Sequence, residues 1–169
     1  MPLSPPVPRA LRHTRAIQVE AFARDDGLWD LDARISDIKE RDIALASGVR
    51  VGGTPIHALS LRVTIDRELV IVDAEAASDA VPYPGHCDSF SHAYKGLIGL
   101  CLTKNFRLGL KEHLSGVLGC THLTELAQIL PTAAVGGAQP PGSPLSNQTL
   151  IRAQPNGSAQ TLQQVKVST

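Results

Sequence analysis

The sequence predicts an α+β fold: a four-stranded, or slightly larger, antiparallel sheet of hairpins with about three helices packed on one face. Three observations predict it. Apolar and polar residues alternate through the first half of the folded region, turn residues separate those stretches, and in the second half apolar residues recur at helical spacing. With 169 residues, 43% of them hydrophobic and 19% charged, the chain has room for one packed domain and not comfortably for two.

Residues 1–12 carry Pro2, Pro5, Pro6 and Pro8 and read as an extended arm, because proline fixes φ and removes a donor. Ile17, Val19, Ala21 and Ala23 alternate with polar or larger neighbours in a weak strand pattern. Asp25-Asp26-Gly27 is a turn signal. Trp29, Leu31, Ala33 and Ile35 form the dry face of a second strand, and Asp30 and Asp32 lie on its wet face as solvated carboxylates. Residues 39–55, charged and then glycine-rich, read as a long connection. Leu59, Leu61, Val63 and Ile65 mark the cleanest strand, Asp66-Arg67-Glu68 turns it, and Val70, Val72, Ala74 and Ala76 are expected on the inward face of the next.

Pro82 and Pro84 close the β region. A helix is expected over about 88–98, with Phe90, Tyr94, Leu97 and Ile98 on one stripe. Thr103 is expected to cap a second, carrying Phe106, Leu110, Leu114 and Val117, with Gly119 at its end. A third presents Leu123, Leu126, Ala127 and Leu130 and stops at Pro131. The domain is thus drawn over residues 13–131. Residues 132–169, with four glycines, four prolines and many Ser, Gln and Asn, are expected to be a disordered tail.

Composition narrows the function. Sixteen basic and sixteen acidic residues cancel, with no basic cluster, so nucleic-acid binding is not expected. No apolar run approaches the ~18 residues of a membrane span, and the first residues do not resemble a secretory signal, so a cytoplasmic location is the expectation. Three cysteines do not make a disulfide framework. At 4% aromatic residues, a base-stacking surface is not expected either. A C-x-x-C pair, a phosphate-binding glycine loop and a G-x-S-x-G elbow are all missing from the sequence.

The sharpest local feature is Gly119-Cys120-Thr121-His122-Leu123, at the start of the last helix. Backbone N–H groups and the positive end of a helix dipole favour a thiolate at Cys120, and His122 is close enough in sequence to join it. The plainer reading is a packed cysteine beside a Thr121 cap. A second feature, Pro84-Gly85-His86-Cys87-Asp88, places a thiol, an imidazole and a carboxylate at the strand–helix junction; the plainer reading is a turn capped by Asp88. His57 starts out on the dry face of the cleanest strand, in phase with Leu59 and Leu61, where a lone histidine is usually a hydrogen-bonded core residue. Under a helical cover it would approach Cys87 and Cys120, and imidazole with thiolate suits zinc or an iron–sulfur centre. Cys101, between leucines, is expected buried and inert, and His92 and His113 on helix surfaces. His13, beside Arg12 and Arg15, is a weak anion-binding signal.

The segments His13-Thr14-Arg15, Asp26-Gly27-Leu28-Trp29-Asp30, Leu61-Arg62-Val63-Thr64-Ile65-Asp66, Pro82-Tyr83-Pro84 and Gly119-Cys120-Thr121-His122-Leu123-Thr124-Glu125-Leu126 occur in an order that resembles the bacterial domain-of-unknown-function 2889 family over about residues 5–131. That resemblance implies no particular activity. From Leu59 through Cys87 to Cys120, the chain also resembles NifU-like iron–sulfur scaffold proteins. In that comparison Cys87 matches the middle scaffold cysteine, Cys120 the last, and His57 falls near the first, where this sequence has histidine. The scaffold's Cys-Gly-Asp segment is missing.

The expectation is therefore a metal-binding accessory or carrier domain. Zinc or an iron–sulfur cluster would be held by His57, Cys87 and Cys120, with His122 as fourth ligand or neighbour. Two alternatives stand beside it: a metal-free thiol carrier acting through Cys120, and a non-enzymatic module that binds a small ligand or a protein partner. Neither a substrate nor an enzymatic reaction follows from the sequence.

Overall fold

A computed structural model describes residues 3–83, 85 and 90–137. The fold is α+β, as expected. Strands β1 (His13–Ala23), β2 (Trp29–Lys39), β5 (Pro55–Ile65) and β6 (Ile71–Ala80) form one antiparallel sheet in the order β1-β2-β5-β6. The stretch expected to be a long connection instead carries a small hairpin, β3 (Ile43–Leu45) and β4 (Gly48–Arg50), which turns through Ala46-Ser47, with Gly48 opening β4 at φ near +119°. Helix α1 (Phe106–Leu114) and helix α2 (Thr121–Gly137) follow, and α2 lies over β1, β2 and β5.

The alternation of the sequence becomes the two faces of the sheet. Leu31, Ala33 and Ile35 of β2 and Leu59, Leu61, Val63 and Ile65 of β5 are buried under the helices. The helices return Tyr94, Leu97, Phe106, Leu110, Leu114, Leu123, Leu126, Ala127 and Leu130 to the same core. Burial of this apolar surface is the main force holding helices to sheet.

Several expectations need correction. Val72 is 41% exposed, and it is Ile71 that points inward, because a bulge pairs Thr64 with Asp73 but Ile65 with Ile71. That extra residue flips the phase ahead of Ala74. The first expected helix is a 3₁₀ helix, Ser91–Leu97; it buries Tyr94 and Leu97 but leaves Ile98 exposed. Helix α1 follows Asn105, not a Thr103 cap. It is succeeded by Ser115 in extended backbone and Gly116 at φ near +62°, so Val117 sits on a separate 3₁₀ turn and is 88% exposed. Gly119, in extended backbone, ends that 3₁₀ turn and not α1.

Pro131 lies inside α2. Its missing N–H removes one helical hydrogen bond, yet the following turn still buries Ala134 against the core. Residues 132–137 of the expected tail are thus helical, and 138–169 fall outside the described residues. Cys101 is only half-buried; its Sγ lies 3.6 Å from the Glu68 carbonyl oxygen and 3.5 Å from the Thr103 hydroxyl, because Leu102 takes the inward position. Asp32, expected in solvent, is buried beneath Arg62, whose Nε and Nη2 each donate to it at 2.6 Å.

Candidate metal centre

At one end of the sheet the inward rows of three strands turn polar. Arg15 of β1 stands opposite Asp37 of β2, and Asp37 stands opposite His57 of β5. All three continue rows that are apolar further along. A second bulge follows at once, since Ile38 pairs with Pro55 and leaves Ile56 unmatched. Bulges concentrate where a strand must re-aim a side chain.

Asp37 is the centre of the group and only 2% exposed. Arg15 donates to it twice, from Nε to Oδ1 at 2.8 Å and from Nη2 to Oδ2 at 2.9 Å. His13 Nε2 lies 3.0 Å from Oδ1. His57 Nδ1 donates to Oδ2 at 3.1 Å, since an ionised carboxylate can only accept. From above, α2 adds His122, whose Nε2 is 3.6 Å from Asp37 Oδ2. The His57 and His122 rings stack with centroids 3.9 Å apart and planes tilted by 35°. One turn along α2, Glu125 accepts from Arg15 Nη1 at 2.9 Å.

The electrostatics follow from this geometry. Burial alone pushes the Asp37 carboxyl up, but the hydrogen bonds and charge of Arg15, with help from His13, hold it down at about 2. Burial is also the largest influence on His57, and with the neighbouring His122 it outweighs the attraction of Asp37 and lowers the imidazole pKa. His122 is lowered by burial and by Arg15. Both rings are therefore biased towards the neutral form, in which one nitrogen of each keeps a lone pair. With its Nδ1 proton committed to Asp37, His57 offers Nε2.

One ligand atom from each of Asp37, His57 and His122 lies within 4.8 Å of the others. Among the described residues this group does not include Cys120. That cysteine is half-buried and precedes α2; its carbonyl accepts from Thr124 N at 2.9 Å and from the Tyr94 hydroxyl at 2.8 Å. It nevertheless lines the same cavity, of about 530 Å³, as His57 and His122. Cys87, along with His86 and Asp88, lies outside the described residues. His92 and His113 are exposed, as expected. The anion met by His13 and Arg15 is the protein's own Asp37.

Sequence reasoning missed Asp37, Arg15 and Glu125. The signal for the first two was present: each continues a dry row, Asp37 after Leu31-Ala33-Ile35 and Arg15 before Ile17-Val19. In the row of β2 the charge of Asp37 is buried and must find a partner, and Arg15, on the more exposed β1, supplies it.

Fold and cluster together define a small α+β domain with a buried carboxylate and a pair of stacked imidazoles, both biased towards the neutral form, at the wall of a cavity. A family model described as a protein of unknown function (DUF2889) matches residues 13–136, and the chain belongs to that family. No curated protein and no solved structure matches it. The likeness to NifU-like scaffolds is not shown by these comparisons. Among the described residues, no helix is long and apolar enough to cross a membrane.

Proposed function

We propose that this domain binds a single transition-metal ion, zinc in the first instance, through His57 and His122. In this reading Asp37 orients His57 from behind, and Cys120 supplies a thiolate from the same cavity wall. The reading rests on one observation above all: ligand atoms of Asp37, His57 and His122 lie within 4.8 Å of one another. The neutral bias of both imidazoles supports it, because only the neutral ring ligates. A carboxylate accepting the far N–H of a ligating histidine is a recurrent outer partner of zinc sites. Arg15 already satisfies both oxygens of Asp37, so Asp37 suits that outer role better than direct ligation.

Two nitrogens and a sulfur fit zinc, with a further position open for Cys87 or an exogenous ligand. An iron–sulfur cluster would draw on both Cys87 and Cys120, and the two imidazoles favour the single ion over it. A carrier or accessory role is the one this reading favours.

Zinc titration of chelator-treated protein against a competing indicator tests the reading. One ion per chain, held more tightly than about 1 μM, is expected, with His57→Ala and His122→Ala each weakening it at least about a hundredfold. Failure to take up zinc, or unchanged affinity in both variants, refutes it. If a metal-free protein instead alkylates rapidly at Cys120 near neutral pH, the thiol-carrier reading takes its place.

A further inference from the structure

Strand β1 is an outer strand of the sheet, and no described strand lies beyond it. Glu40 N donates to the Arg12 carbonyl at 3.3 Å and Arg24 N to the Leu28 carbonyl at 3.0 Å, and both pairs continue the β1–β2 register. Bonded and non-bonded pairs alternate along an antiparallel ladder. The even-numbered residues of β1 therefore bond to β2, and Arg15, Ile17, Val19 and Ala21 point their backbone N–H and C=O groups out of the sheet. Such edges are ordinarily blunted by proline, lysine or a bulge. Residues 13–23 contain neither proline nor lysine, their register is unbroken, and the one inward charge, Arg15, is committed to Asp37 and Glu125.

We propose that a second copy of this chain covers the edge, β1 pairing antiparallel with its own counterpart about a two-fold axis through Gln18. In that register all eleven residues pair, with His13 opposite Ala23, Arg15 opposite Ala21 and Ile17 opposite Val19 of the other copy. Ile17, 39% exposed, thereby gains apolar cover, flanked by the half-buried Ile129 of each α2. That helix runs along β1, with Glu125 on Arg15 and Gly137 against Ala21. The charges agree as well. Arg12 of one copy comes to the turn of the other, where Asp25, Asp26 and Asp30 outnumber Arg24. Among the described residues neither Arg12 nor Asp25 has an ion-pair partner of its own. Glu20 faces Ala16 and not a second Glu20, and a chain of zero net charge meets its copy without repulsion. A strand edge about 36 Å long and a flank of α2 about 25 Å long bury about 600 Å² from each copy, the lower end of the range for specific interfaces.

Sedimentation equilibrium of the full chain, with amide exchange followed residue by residue, tests this. At about 200 μM the chain is expected at twice its monomer mass, and to dissociate on dilution. The amides of Ile17, Val19 and Ala21 are expected to exchange at least about tenfold faster when dilute, while those of Ala16, Gln18 and Glu20 stay protected throughout. Ala16 is exposed and meets Glu20 of the other copy in this register alone, so Ala16→Lys is expected to tighten the dimer about fivefold and Ala16→Glu to weaken it about fivefold. A chain that stays monomeric at that concentration would overturn the proposal. So would a dimer on which the two variants act alike, or protection of the odd-numbered amides that does not change on dilution. The metal reading stands or falls separately, by zinc uptake.

Discussion

Asp37 and His57 face each other in register across β2 and β5, and the Nδ1–H of His57 is donated to Asp37 Oδ2 at 3.1 Å. This one bond selects the tautomer of His57 and turns its other nitrogen away from the carboxylate. Arg15, in register on the far side of Asp37, keeps the carboxylate ionised for that task. The row Arg15–Asp37–His57 therefore links a stability device to a candidate ligand.

Stability should fall in two steps as the solution is acidified. Both His57 and His122 have folded-state pKa values below the ordinary 6.5, so the unfolded chain takes up their protons first. Their contribution is complete above pH 6.5 and fades as pH falls through their lowered values. Asp37, held at about 2 against 3.8 when unfolded, contributes about 2 kcal/mol that is lost only between those two values. Urea unfolding across pH 3 to 8 should show the first decline beginning near pH 6.5, and His57→Gln with His122→Gln should flatten it. An unchanged slope in that double variant would contradict the assignment.

Removing the carboxylate should cost more than removing either histidine. Asp37→Ala leaves the Arg15 guanidinium half-stranded and His57 unoriented, so a loss of about 3 kcal/mol is expected in equilibrium unfolding. Asp37→Asn keeps the shape and is expected to lose less stability, while weakening zinc by about ten- to a hundredfold if Asp37 acts through His57. Unchanged zinc affinity in Asp37→Asn would dissociate the carboxylate from the site.

The sheet was legible because its central strands alternate cleanly: Leu31-Ala33-Ile35 and Leu59-Leu61-Val63-Ile65 are buried where their spacing puts them. The bulge between Ile71 and Asp73 was not legible, since one extra residue in a strand leaves no mark on composition. Helix ends were read poorly after Leu114, where α1 stops short of Val117, and at Pro131, which α2 runs through. For the cluster, His57 and His122 were singled out from phase and from position at a helix start, and their rings lie together. Their partner Asp37 was overlooked because a strand-end acid is ordinarily solvated; only the meeting of β1, β2, β5 and α2 makes it a buried centre.

Tyr94 holds the start of α2 in place. Its ring is fully buried, and its hydroxyl donates to the Cys120 carbonyl at 2.8 Å and lies 3.0 Å from Thr124 Oγ1. Burial pushes its pKa up to about 12. Tyr94→Phe should therefore cost about 1 kcal/mol in unfolding and increase amide exchange at Cys120–Thr124. In the native protein, an ultraviolet titration should find one of the two tyrosines un-ionised up to about pH 12.

Gly119 sets where that helix starts. A Cβ at this position would lie 2.9 Å from the Leu114 carbonyl oxygen and 3.2 Å from Leu114 Cβ, so the backbone itself blocks a side chain. Its φ of −147° is ordinary extended backbone, which makes the restriction one of space and not of conformation. Gly119→Ala should destabilise the fold by about 1–3 kcal/mol, the range for overpacking against a fixed neighbour. It should also move Cys120 and His122 off the cavity wall, weakening zinc at the same time. Gly116→Ala, with open space at its Cβ but φ near +62°, serves as the contrast. It should cost about 1 kcal/mol through backbone strain alone and leave zinc affinity unchanged. If both variants lost stability equally and zinc binding followed neither, the start of α2 would not be what positions the two side chains.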